Sequence, residues 1–511
     1  NSFCTLLERS PSQGVGRQPM PPKAKKHRNE APVVEERAGN TTSGADADTP
    51  AMTEWRVPAA PAKLPLRATV SFVEANPQLT SIDASGSNIS DAILTAVARS
   101  CRGLRRLDVS NPAGRVTDHG VSALAEACPG LLHLNVSRTK GKVTDATMLA
   151  IARSCRQLQH LDVSWTNGKI TDTGVEAVAE ACPALTYFDL GCLHGKVTDE
   201  GVCAIAKGCR SLRYLDVSGA HGNVTDVALT AVAAGCPTLE HLIVGGTNGA
   251  VTNAAICAVA DRCPKLRGLE VFDALGGITD AALEAIASKC SNFESLKLTR
   301  VGDGAVTDAA VLAIARGCPK LRKLGIHDTG GTITDAAVSA VATQCPGLEY
   351  LDVSHTKGAV TDASVRLVVR NCRSLQHLDV TMTLGAITDG TIVEVGSHCP
   401  ALRHLSVNYT EGKVTDLGIG AVARGCPELR FLDVTETKGA ITDESIRAVA
   451  LGCPKLEVLE VGGTEGKVTD RSIAEVARRC RGLKRAMLAP TEGAVTAAVK
   501  PLFCESCSVF V

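Results

Sequence analysis

Aromatic residues are scarce in this 511-residue chain, at 3%, and neither sign of charge prevails, with 54 Lys+Arg against 54 Asp+Glu. A core built from a few large rings is therefore excluded, and so is binding to nucleic acid or to a membrane surface through bulk charge. Long apolar runs are lacking too. No window approaches the roughly 18 continuous apolar residues that a membrane helix needs, so no integral membrane protein is expected. The first segment has no apolar stretch leading to a small-residue cleavage site, and export is not expected. Catalytic fingerprints are equally missing: neither G-x-S-x-G nor H-E-x-x-H occurs in its proper setting. The Gly-Lys pairs at 141, 168, 195, 412 and 466 precede Val or Ile where a phosphate loop needs Ser or Thr, and they read as turns. No enzyme and no cofactor is expected.

What the chain does have is 21 Cys, 47 Gly and many aliphatics, and the cysteines are periodic. They fall at 101, 128, 155, 182, 209, 236, 263 and 290, then at 318, 345, 372, 399, 426, 453 and 480, a spacing of 27 with a single 28. Asn76 opens an irregular unit before the first of these, and the pattern fades after Cys480, which gives about sixteen units with capping ends. Residues 1–65, rich in Pro, Ala and charged groups, read as a disordered tail, and 506–511 as a short C-terminal tail. Met20 has the look of a natural start, and Lys23, Lys25, Lys26 and Arg28 read as solvated charge or a nuclear-import patch.

Within a typical unit, Leu158, Leu161 and Val163 predict a short strand with one buried side. A polar turn at Gly168 follows. Val175, Val178, Ala179 and Cys182 then recur at i, i+3, i+4 and i+7, one face of a helix of about ten residues. Thr171 suits the N-cap, and Asp172 places a carboxylate at the positive end of the helix dipole. One strand and one helix cannot bury their own apolar faces, so the units must stack. Strands space at roughly 4.8 Å and helices at roughly 10 Å, so the stack bends with its strands inside, and fifteen strand-to-strand steps span about 70 Å. The expected fold is an α/β solenoid over 66–505.

The pattern C-[PR]-x-L-x-x-L-D-V-S…V-T-D-x-G-V-x-A-V-A-x-x-C resembles the cysteine-containing class of leucine-rich repeat, over about 76–500. That class is known from F-box/leucine-rich-repeat proteins, the substrate receptors of SCF-type ubiquitin ligases, so the resemblance implies protein partners, among them an SCF adaptor and cullin. The register cysteines read as buried free thiols suited to a reducing compartment, cytoplasm or nucleus. Cys504 and Cys507 form a lone C-x-x-C without a second pair at zinc spacing.

The outward side of each strand is free to vary, and two columns there are the candidate binding surface. The first contains His133, His160, Tyr187, Tyr214, His241, Lys323, Tyr350, His377, His404 and Phe431; the second contains Asp162, Asp189, Asp216, Asp352, Asp379 and Asp433. Trp165 and Tyr409 join them at the strand exits. Rings above an acidic ladder suit the basic and apolar anchors of a protein partner, although rings also simply favour strands. The pairs His133/His160 and His377/His404, with Asp162 and Asp379 beside them, invite either a metal or titration near pH 6. Between Cys236 and Gly330 the acidic column gives way to Ile243, Lys297 and Gly325, Phe272 and Arg300 enter, and one residue is inserted near Val301–Gly304. This centre is the preferred hot spot.

Three functions are weighed: a ubiquitin-ligase substrate receptor, an interaction scaffold without an F-box, and a GTPase activator or nuclease inhibitor of the leucine-rich-repeat kind. The last has an Asn ladder and longer units, which this chain lacks. The first needs an F-box; Leu64-Pro65 supplies a Leu-Pro pair, but the repeats start too soon after it, so an F-box is expected upstream of the present sequence or nowhere.

Overall fold

In most repeats a buried apolar pair, usually Leu and Val, alternates along the strand with half-exposed neighbours, and that alternation sets the architecture. The computed structural model describes residues 52–58, 65–302, 304–489, 494–504 and 507–511. Among them, eighteen short strands from Glu54–Arg56 to Ser508–Phe510 form one sheet in which each strand pairs in parallel with the next. Sixteen α-helices of ten residues, from Leu66–Ala75 to Asp470–Arg479, pack side by side behind it. A single apolar core runs between the two layers; Leu158, Leu161, Val163, Val175 and Val178 are fully buried in it, and Phe188 and Phe293 fill Leu positions of the template. No helix of the described residues is long and apolar enough to cross a membrane.

Two polar devices stitch the units together. The Asp at each helix start does more than face the dipole: Asp172 accepts hydrogen bonds from the backbone N–H of Thr198 at 2.8 Å, from its hydroxyl at 2.8 Å and from the N–H of Gly201 at 3.1 Å, all in the next unit. The Thr198 hydroxyl in turn accepts from Glu200 N–H as the helix N-cap, as expected. Thr171 holds the N-cap position without that side-chain bond, its hydroxyl donating to Asp145. The second device is sulfur. Cys182 and Cys236 are fully buried and donate S–H to the carbonyls of Cys155 and Cys209 at 3.4 and 3.5 Å. Burial pushes these thiols up to about 11 and about 12, and no disulfide occurs among the described cysteines.

Both expected boundaries shift. Inside the expected 1–65 tail, Glu54–Arg56 pairs with Ser81–Asp83, Trp55 packs 5.1 Å from Phe72 and Val57 is buried. Inside the expected 506–511 tail, Ser508–Phe510 pairs with Arg485–Met487. The physical reason is the same at each end: a parallel edge exposes unpaired backbone groups, which a short added strand covers. The basic run at 23–28 lies outside the described residues.

Candidate partner-binding face

The first outward column forms two ladders of rings. Parallel strands in register place the same position of successive units side by side, so flat side chains there stack. His133, His160, Tyr187 and Tyr214 lie face to face at centroid separations of 3.7, 3.9 and 4.1 Å, and His241 ends the series, tilted, 6.3 Å from Tyr214. Tyr350, His377, His404 and Phe431 make the second ladder at 4.0, 3.9 and 3.9 Å. All these rings are half-buried, each by the next.

Stacking settles the protonation of the imidazoles. Burial pushes His160 and His377 down to about 3 and His133 and His404 down to about 4, so they are neutral and do not titrate near pH 6, contrary to the sequence expectation. A metal on His377, Asp379 and His404 fares no better. Their ligand atoms lie within 4.8 Å of one another, yet the two rings are stacked 17° from parallel, and near-parallel planes that far apart direct their nitrogen lone pairs alongside each other rather than at one ion.

The second column carries the carboxylates, and its first task is local. Asp162 Oδ1 accepts from Ser164 N–H at 3.0 Å and from its hydroxyl at 2.7 Å; Asp352, Asp379 and Asp433 hold Ser354, Thr381 and Thr435 through the same N–H bond. These bonds secure the strand exit. Burial, with Asp216 and Asp162 adding repulsion, holds Asp189 well above the usual carboxylate range, and burial pushes Asp216 up to about 6. Asp379 is pushed up to about 7 by burial and by Asp352 beside it.

At the centre the ladders stop. Gly268, Ser295 and Lys323 occupy the ring column on three successive strands, and the strands from His241–Gly245 to Lys323–His327 lengthen from three residues to five. His241 leans across Gly268, where a Cβ would stand 2.5 Å from its Nδ1, and Phe272 leans across Gly245, where a Cβ would stand 2.3 Å from the ring. Arg300 is half-buried and paired with Asp273 at 2.7 Å, so its charge is spent inside the turn, whereas Lys323 is exposed. Lys297 Nζ sits 2.9 Å from Glu270 and 5.5 Å from the centroid of Tyr350. Between Lys297 and Asp352 stands Gly325, and beside it lies a pocket of about 380 Å³ lined in part by Phe272, His327, Tyr350, Asp352, His355 and Asp379.

Trp165 and Tyr409 lie at the strand exits with φ of 58° and 52°, a register that Gly219, Gly246 and Gly463 fill in other units. Arg138 stacks on Trp165 at 4.8 Å, and Tyr409 is exposed. Sequence reasoning missed His327, Ser354 and Thr381 as pocket residues; the available signal was Gly325, the break in the acidic column next to Asp352.

A family model described as Leucine Rich repeat matches residues 154–179, which is one unit of the array. The fold, a stack of such units, is a leucine-rich-repeat solenoid. Their cysteine-containing form resembles the repeats of F-box/leucine-rich-repeat receptors. Among solved structures, that of the yeast Rad7–Elc1 complex is similar, with TM-score 0.54 and 16% identity over 80% of this chain and 90% of that one. The leucine-rich-repeat-containing protein LegL7 from Legionella pneumophila matches at TM-score 0.36 and 14% identity, over 57% of this chain and 96% of that one. No curated protein sequence matches the chain.

Proposed function

We propose that the concave face of this leucine-rich-repeat protein captures a protein partner, and that the protein serves as a substrate receptor in SCF-type ubiquitin-dependent degradation. The observation that carries the first part is the pair of ring ladders: flat, half-exposed, pre-stacked rings supply apolar contact with little side-chain entropy left to lose, flanked by carboxylates that favour basic partner residues. The likeness in fold to the Rad7–Elc1 structure, itself a complex of two proteins, supports an interaction role. The resemblance of the repeats to those of F-box receptors supports the second part.

A second reading, a scaffold without an F-box, is favoured by one observation. Pro65 is the N-cap of Leu66–Ala75, a helix of the array that packs on the next repeat helix, so this proline opens a solenoid helix rather than an F-box. Chemical crosslinking and pull-down of the full chain from native lysate distinguishes the two: recovery of an adaptor–cullin pair together with a substrate supports the receptor, and recovery of a partner alone supports the scaffold. Alanine at Tyr187 and Tyr350 is expected to weaken partner capture at least about tenfold, as hot-spot aromatics do, while alanine at Glu176 or Lys207 on the helical face leaves it unchanged. Equal loss from both sets contradicts concave binding.

A further inference from the structure

The central pocket has a chemistry of its own. At its edge Gly325 stands where many other units carry Asp, and Lys297 lies over it, its Cγ 3.3 Å from where a Cβ would be. Two adjacent carboxylates, Asp352 and Asp379, line its far wall in register on neighbouring strands. No ion pair joins either of them to a cation among the described residues, a condition they share with Asp162, Asp189, Asp216 and Asp433 of the same column, whereas Glu270 across the pocket is matched by Lys297. One wall is Tyr350, whose ring is backed by His377 on one face and approached by Lys297 Nζ across the pocket; a cation of the chain itself already uses that aromatic surface.

A polar hollow of this size holds one long side chain. Carboxylates on one wall disfavour an anion, and an apolar anchor would cover their second oxygens, since Ser354 and Thr381 donate to Oδ1 alone. A planar guanidinium meets both demands at once: it takes the place of Lys297 Nζ over the Tyr350 ring, leaving that ammonium to Glu270, and forks its N–H groups onto carboxylate oxygens. Burial and mutual repulsion, which keep Asp379 partly protonated, express the same deficit of positive charge.

We propose that this pocket is a specificity site for an arginine side chain of the protein partner, held between Tyr350 and the Asp352/Asp379 pair. The proposal rests on the reading of the concave face as the capture surface, and its test separates the two. The full chain is used to select from a displayed library of random dodecapeptides, alongside Gly325→Leu, which adds bulk under Lys297 and crowds it toward the hollow, and Asp352→Asn/Asp379→Asn, which keeps the shape and the hydrogen bonds to Ser354 and Thr381 but removes charge. The expected result is about tenfold enrichment of arginine at one peptide position with the unaltered chain, the scale that one charge-assisted hydrogen bond supports, with that enrichment lost in both variants. A pool without arginine enrichment, or enrichment that survives in the Asn variant, overturns the pocket. Peptides that lack arginine yet stop binding on Tyr187→Ala overturn the pocket while leaving the concave face standing. Peptides indifferent to Tyr187→Ala, Tyr350→Ala and Gly325→Leu overturn both.

Discussion

A buried carboxylate and a buried imidazole on the same strand register pull stability in opposite directions with pH. Asp379 has its folded-state value raised from 3.8 to about 7, so the folded chain holds that proton more tightly than the unfolded one. Its contribution is full below pH 3.8 and is lost as pH rises through 7. Asp379→Asn retains an acceptor for Thr381 N–H and removes the charge; it is expected to raise unfolding free energy at pH 8 by up to about 4 kcal/mol, with the gain gone by pH 4, as read by denaturant unfolding across that range. His160 and His377 act in the reverse sense, contributing fully above pH 6.5 and losing it as pH falls toward 3. The His columns were legible in the sequence as outward-facing residues. Their protonation was not, because it depends on how closely a neighbouring ring covers them, which the strand pairing sets and the one-dimensional pattern does not display.

At the scale of the repeat element, the Thr-Asp pair is an inter-unit clamp. The chain contains its own variant: Asn253 replaces Asp, and its Oδ1 still accepts from Thr279 N–H at 2.9 Å, but its Nδ2 now donates to the Thr279 hydroxyl at 2.8 Å. Amide therefore substitutes for carboxylate with the donor and acceptor roles of one bond exchanged. Asp172→Ala removes three acceptor contacts and is expected to cost about 2–4 kcal/mol, while Asp172→Asn costs less than about 1 kcal/mol; thermal unfolding measures both. The register thiols belong to the same scale. With Cys236 pushed up to about 12 and fully buried, a thiol reagent at neutral pH is expected to label exposed Cys504 within seconds and Cys236 only on unfolding, and mass mapping of the label checks this. Rapid modification of Cys236 in the native chain would contradict the packing described here. The 27-residue period made the strand, turn, helix and cap legible, since each follows from spacing alone. The reach of Asp172 into the next unit was not, because a residue 26 positions away is adjacent only after stacking.

For the whole molecule, a linear array of near-identical units produces a continuous surface, and the proposed pocket lies where the repetition fails. The strands lengthen and the rings stop over Gly268, Ser295 and Lys323, and the pocket lies beside Gly325. The sequence marked this interruption through Ile243, Lys297, Gly325 and the 28-residue unit. It could not show that Arg300 is occupied by Asp273 or that Phe272 folds over Gly245, since both depend on turn geometry. Nor did composition reveal the closing strands at Glu54–Arg56 and Ser508–Phe510, whose order comes from the sheet edges they cover.

The account turns on which side of the arch a partner touches, and photocrosslinking from defined positions reads that directly. A photoreactive phenylalanine replaces Tyr214 on the ring ladder, or Val227 or Leu451 on the exposed helical side, and each full-length chain is irradiated in native lysate. The expected result is a discrete crosslinked partner from position 214 and none from 227 or 451. Crosslinking from the helical positions, with position 214 silent, would contradict it.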